Sequence, residues 1–305
     1  MSRKGWLLFC ALCVIWGIPY LLIRVAVREL TPATLVFART APAALLLLPF
    51  ALRRSELRAL LGRWRWIVAY TFVEIAVPWL LLGHAEQRLA SSLAGLLIAA
   101  VPLIAALLYL LTGTADHLTR RRLAGLVTGF AGVAALVGFE AGGGSSDPRA
   151  VAEVLCVALC YAIGPLIVSR RLADLRGLGV VAASLLITAL VYAPLGLAQR
   201  PASVSAETVA AVAVLALVCT ALAFVLFFAL IVEVGPARAT VITYINPLIA
   251  VLLGVVFLSE PLTVGIAVAV PLILSGSVLA TSRPPGRRHP AETVRSSASK
   301  DDRPA

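Results

Sequence analysis

The stretch EVGPARATVITYINPLIAVLLGVVFLSEPLT, Glu233 to Thr263, decides what kind of protein this is. It carries no charge between Arg238 and Ser259, and about 20 apolar residues are enough for a helix to cross the hydrocarbon of a bilayer. Near its middle stand Tyr244, Asn246 and Pro247. A buried amide, and a proline that removes a backbone donor, are costly in hydrocarbon unless they face protein or a polar cavity. The same layout recurs 145 residues earlier in SSLAGLLIAAVPLIAALLYLL, Ser91 to Leu111, which sets Pro102 against Pro247. The chain therefore reads as a membrane protein built from two related halves.

Composition agrees. The chain is 61% hydrophobic and 13% charged, with a mean hydropathy of +0.99, where a soluble domain carries roughly a quarter charged residues. The net charge of +11 does not describe a nucleic-acid surface. Its arginines fall in short loops between apolar runs, where topology charges belong, and form no continuous basic face. The five cysteines, Cys10, Cys13, Cys156, Cys160 and Cys219, all lie in apolar segments without a histidine or carboxylate cluster. They read as small packing residues, so neither a metal, a cofactor nor a disulfide framework is expected.

Ten apolar segments emerge, near 6–23, 33–51, 66–83, 91–111, 123–139, 151–168, 178–197, 208–231, 238–257 and 262–280. The first has the basic start of a signal peptide, but no small-residue cleavage site follows, and it reads as the first membrane helix. The expected fold is an all-α membrane protein of ten transmembrane helices in two inverted five-helix repeats. Residues 1–139 and 151–281 are the repeats, 140–150 an extracytoplasmic linker, and 282–305 a disordered cytoplasmic tail. With both termini cytoplasmic, twenty lysines and arginines collect on the inner side and five on the outer, the bias expected of cytoplasmic loops. LCVIWGIPYLLIR, Leu12 to Arg24, lies over LCYAIGPLIVSRR, Leu159 to Arg171, and Pro49 matches Pro194. Inverted halves around a midplane site are a common route to alternating access.

Two ionisable residues lie within segments. Arg39 is in the second and Glu74 near the middle of the third. Charge at that depth faces the bundle interior. Entering from opposite sides, the two differ in depth by ~9 Å, which an arginine side chain largely spans. They either pair structurally, or Arg39 attracts an anionic substrate group while Glu74 serves a cation or proton, or Arg39 snorkels outward beside a neutral Glu74. Trp16, Gly17, Pro19 and Tyr20 combine close backbone approach, a freed carbonyl and aromatic surface, which suits a cavity wall as well as plain packing. Pro78 and Trp79 follow Glu74 and predict a kink beside its charge. With Pro102, Tyr244, Asn246 and Pro247, at matched depths in the fourth and ninth segments, they outline a candidate substrate pathway. Asn246 equally suits a tie to a neighbouring helix. Gly125, Gly129 and Gly132 offer a small-residue face for tight packing. Glu260 suits the capping of the helix it opens. His84 and His117 are expected in loops and His289 in the tail, none placed for a proton relay or metal.

Trp16-Gly17, the Pro32…Phe37-x-Arg39 pattern, Ala85…Ser91-Ser92…Pro102, and above all PARATVITYINPLIAVLLGVVFLSEPLT resemble the EamA family of the drug/metabolite transporter superfamily, over residues 6–281. The resemblance implies a ten-helix inner-membrane carrier that exports amino acids, other small metabolites or toxic compounds without hydrolysing nucleotide, with its cavity between the halves. The family pattern often ends the fourth helix with an acidic residue, as the ninth does here. This chain has Thr114-Ala115 opposite Ser259-Glu260.

The leading expectation is a secondary transporter exporting amino acids or other small polar metabolites, whose partners are the bilayer, a small-molecule substrate and, through Glu74, protons. Efflux of drugs or hydrophobic cations is the alternative within transport. A membrane enzyme would show convergent carboxylates, histidines or a nucleophile at one face, and none is apparent. A structural or sensory protein is the remaining alternative, and a sensor would add a soluble domain. Substituted-cysteine labelling is expected to place Arg120 to Arg122 inside and Glu140 to Arg149 outside, and the opposite pattern rejects the topology.

Overall fold

The computed structural model describes residues 1–53, 59–111, 119–142 and 147–281. Every regular element among them is helical. Nine helices there are long and apolar enough to cross a membrane: Arg3–Ala26, Pro32–Pro49, Leu61–Ala85, Ser91–Leu111, Arg120–Glu140, Pro148–Arg171, Gly177–Ala198, Ala206–Val234 and Val264–Thr281. A shorter apolar helix, Ile242–Leu258, stands between the last two. In chain order these are spans 1 to 10, and they fall on the ten apolar segments of the sequence. Thr114-Ala115, His117 and the tail with His289 lie outside the described residues. So does 143–146, the middle of the expected linker, whose flanks belong to helices instead: Glu140 to span 5 and Arg149 to span 6.

Helix starts are capped where the chain turns back. Ser2, Thr31, Thr119, Asp147, Ser205 and Thr263 each accept, through a side-chain oxygen, a backbone N–H of the following first turn. Such a cap contributes about 1 kcal/mol. Among the described residues, spans 3, 7 and 9 start without a side-chain cap, and the cap of span 4 is remote. Glu260 accepts from the backbone N–H groups of Ser91 at 2.7 Å and Ser92 at 2.9 Å, and from Ser91 Oγ at 3.0 Å. The acidic cap expected on span 10 thus sits on the N-terminus of a helix 169 residues earlier. A left-handed turn at Ser259, φ 53°, ends span 9 and aims the carboxylate there. Ser259 is the one non-glycine with positive φ among the described residues, and strain of that kind marks a position the surroundings enforce.

Interruptions inside the spans follow from proline. Span 1 breaks at Ile18, and Pro19 opens its second half, where a missing N–H costs nothing. In span 3, where a kink is expected at Pro78, a wide π-helical turn, Phe72–Ala76, stands just before the proline. Widening moves a carbonyl out of the proline ring's way and satisfies it one residue further on: the Val77 N–H bonds to Phe72 O. Span 8 has the same turn at Leu217–Leu222, beginning 145 residues after Phe72, although Ala223 stands where span 3 has its proline. Here Thr220 Oγ1 donates to Leu215 O at 2.7 Å. In span 4 the helix breaks at Ala99-Ala100, just ahead of Pro102. Pro247, by contrast, lies within the continuous helix Ile242–Leu258, so the two prolines sit in unlike local structure.

The spans pair 5 with 10, 2 with 7, 4 with 9, 3 with 6 and 1 with 8, a pattern unchanged when each span is replaced by the one five places away. Contacts also sort the connections into two ends. At one, Arg24 donates to the Glu86 carbonyl, the Ser205 N–H to Glu29, Thr31 to Gln199, Arg88 to Asp147, and Thr263 to Glu140. At the other, Ser2 meets Glu233, Arg63 meets Asp174 at 3.0 Å and Tyr244 meets Thr281 at 2.6 Å. Large apolar side chains such as Leu7, Leu45, Leu111 and Val232 project from the bundle, as a surface solvated by lipid requires.

Spans 5 and 10 touch backbone to backbone. A Cβ at Gly276 would overlap Gly129 N and Cα, and one at Gly125 would lie 2.8 Å from Gly276 O. The glycine face of span 5 thus finds its partner in span 10. Gly276→Ala is expected to lower stability by about 1–3 kcal/mol, read by thermal unfolding of purified protein in detergent. Gly138→Ala, where a Cβ meets nothing within 4 Å, is expected to leave it unchanged or slightly raised.

Candidate functional site

Span 2 carries Arg39 into the interior, where it is 7% exposed. Its Nε donates to Thr220 Oγ1 at 2.9 Å, the hydroxyl that also holds the wide turn of span 8. Its guanidinium carbon lies 3.7 Å from the centre of the Trp79 ring, a stacking geometry that stabilises a cation removed from water. Among the described residues Arg39 forms no ion pair with a carboxylate. The structural pair with Glu74 is therefore absent, and so is outward snorkelling of the arginine.

Glu74 lies in the wide turn of span 3. Its carboxylate faces span 6 at Gly164, where any Cβ would overlap Oε2, and this oxygen is buried without a hydrogen-bond partner. Tyr161 of span 6 is within electrostatic reach of both Glu74 and Arg39. Tyr20 reaches Tyr161, Glu86 and Arg39, and packs near Gly95 of span 4. One basic and one acidic side chain thus lie near the junction of spans 1, 2, 3, 6 and 8, with Trp79, Tyr161 and Tyr20 in reach of one or both.

The other sequence-selected residues distribute more widely. Trp16 packs on Phe227 and Phe224 of span 8, with ring centres at 4.9 and 6.0 Å. Gly17 lies against Ile249 and the Asn246 carbonyl. Asn246, with its amide nitrogen turned toward carbonyls, donates to Cys13 O at 3.2 Å and Ile242 O at 2.9 Å, which ties span 9 to span 1. Tyr244 reaches Thr281 at the terminal end of the bundle. Pro19, Pro78 and Pro247 are buried, and Pro102 is partly so.

A cavity of about 420 Å³ opens at the other end of spans 2, 3, 6 and 7. Pro32, Ala33, Leu80 and Leu81 form its apolar wall, with His84, Glu153 and Gln199 at its polar margin. Trp79 is the residue before this wall in span 3, and Arg39 lies six residues beyond Ala33 in span 2, about 9 Å along the helix. At the margin, His84 Nδ1 is 2.8 Å from Glu153, and Arg88 bridges Glu153 at 2.8 Å and Asp147 at 2.7 Å. The Asp147 carboxyl is held below its usual range, first by the Arg149 backbone N–H. His84 is consequently a helical residue in an ionic cluster, not the loop residue the sequence suggested. Sequence reasoning also passed over Thr220, Tyr161, Glu86 and Glu153. Of these only Tyr161, inside the segment that matches Leu12 to Arg24, carried a usable signal.

Comparison with known proteins places this geometry. The profile of the EamA-like transporter family matches residues 3–138 and again 149–282. An uncharacterized inner membrane transporter of Escherichia coli, YedA, is 30% identical over 292 residues, covering 90% of this chain and 92% of its own. An uncharacterized transporter of Archaeoglobus fulgidus is 23% identical over 289 residues, covering 93% and 99%. A crystal structure that superposes with a TM-score of 0.65 at 22% identity covers 92% of this chain and 97% of its own, and shares the fold.

Removing the guanidinium tests its role directly. Arg39→Ala is expected to leave folded protein in the membrane and to abolish flux, and Glu74→Gln to do the same. Loss of protein with normal flux per surviving molecule assigns both residues to structure.

Proposed function

The chain belongs to the EamA-like transporter family, and on that premise we propose that it is a secondary carrier exporting amino acids or other small polar metabolites across the inner membrane. As a member of a transporter family it is not an enzyme. Arg39 carries the substrate reading: a buried guanidinium held by a hydroxyl and a ring, with no carboxylate of its own, suits a carboxylate brought by the substrate. Glu74, across the aromatic residues, suits the ammonium group of a zwitterion or a proton. Trp79, Tyr20 and the neighbouring Pro78 shape the pathway between them, while Trp16, Gly17, Pro19, Pro102, Tyr244, Asn246 and Pro247 lie on the elements that move around it.

Residues 1–139 and 151–281 act as two five-span repeats inserted in opposite senses, joined by an extracytoplasmic connection within 140–150 and followed by a cytoplasmic tail. The span pairing, unchanged by a shift of five places, and the wide turns spaced by 145 residues support this arrangement. Twenty cationic residues on the terminal side against five on the other support cytoplasmic termini.

Purified protein in liposomes, presented with a panel of radiolabelled amino acids and small carboxylates, is expected to show saturable flux that Arg39→Ala removes. Flux of ethidium, a hydrophobic cation, without flux of any carboxylate supports the drug-efflux alternative instead.

A further inference from the structure

Glu86 closes the end of span 3 and is 0% exposed. Neither carboxyl oxygen has a hydrogen-bond partner. A carboxylate stripped of water and given no donor costs several kcal/mol, whereas the neutral acid costs far less. Arg24 is within electrostatic reach, yet its guanidinium donates to the backbone carbonyl of Glu86.

The groups that face Glu86 explain why the donors go elsewhere. From the exit of span 9, Glu260 is in electrostatic reach and already holds two backbone N–H groups and a hydroxyl at the positive end of span 4. That setting gives Glu260 three donors beside the positive end of a helix, where Glu86 has none. Tyr20 of span 1 and Arg39 of span 2 are the remaining titratable or charged groups in reach. Ser92 Oγ, beside the Glu260 cap, is a second buried polar atom with no partner. Neighbouring acids in unlike surroundings can take different roles, and here the one without donors is Glu86.

We propose that Glu86 is a proton-binding site of this carrier, neutral while spans 1, 3 and 4 enclose it and ionised when that end of the bundle opens. On opening, the proton passes to water and the freed carboxylate pairs with Arg24. The inference rests on the transporter reading for its purpose and on the burial of Glu86 for its chemistry.

The test is infrared spectroscopy of the full-length protein in liposomes at neutral pH, in H2O and D2O. The wild type is expected to show the C=O stretch of a protonated carboxylic acid that Glu86→Gln loses and Glu74→Gln keeps. Because glutamine replaces one neutral group by another, Glu86→Gln is also expected to unfold at the wild-type temperature at neutral pH. An identical acid band in Glu86→Gln and wild type overturns the proposal. So does markedly earlier unfolding of Glu86→Gln, the result for an ionised Glu86 neutralising Arg24. A band that appears only when sodium is omitted assigns the carboxylate to a metal cation and likewise overturns it. None of these readouts needs a substrate, so a failed flux panel and a failed proton site are distinguishable.

Discussion

Inside a bilayer a backbone amide or carbonyl that loses its helical partner has no water to turn to. That constraint governs this bundle. Proline and polar residues interrupt several spans, and several of these places are repaired by a specific device. Pro19 starts a new helical segment, where its missing donor is harmless. Pro78 is relieved by widening the preceding turn. Span 8 holds the same wide turn through a threonine hydroxyl. The Asn246 amide donates to carbonyls of two spans near Pro247. The beginning of span 4 is satisfied by a carboxylate from far along the chain. Interruptions repaired in this way leave side chains aimed at the interior that a regular helix would rotate elsewhere.

Those side chains are the ones with charge to manage. Glu74 lies in one wide turn and Thr220 in the other, and Thr220 both stabilises its turn and accepts from Arg39. Backbone repair and electrostatics therefore share atoms. Arg39 is held by a ring and a hydroxyl without a carboxylate partner among the described residues, while Glu74 is turned toward span 6 instead of toward the arginine. An arginine and a glutamate in one interior are thus left unpaired with each other.

The ten spans, the two-half organisation and the glycine face of span 5 were legible because each is written in a continuous window: about 20 apolar residues, a repeated offset, a small residue every fourth position. The Glu260 cap was legible as a capping carboxylate and was placed on the wrong helix, since nothing local to Glu260 names Ser91 as its partner. His84 looked like a loop residue because polar residues follow it closely, yet span 3 continues through it to Ala85. The proline at 78 announced a disturbance but could not say whether the helix would bend or widen. That choice depends on the span packed against it, here span 6 with Gly164. Arg39 and Glu74 stood out as charges in apolar runs. Their separation was not readable, because rotation about the helix axis in a wide turn departs from regular spacing.

The backbone contact between spans 5 and 10 bears on how the rest can rearrange. Where Gly276 is seated on Gly129 and Gly125 faces Gly276, backbone meets backbone, with no side chain of these glycines to change rotamer and absorb a shift. Sliding along this seam would drive peptide groups into one another. Spans 1 and 8, by contrast, meet through Trp16, Phe224 and Phe227, rings that can tilt and reseat. The glycine seam is therefore the stiffer of the two contacts, and the aromatic one the more able to yield.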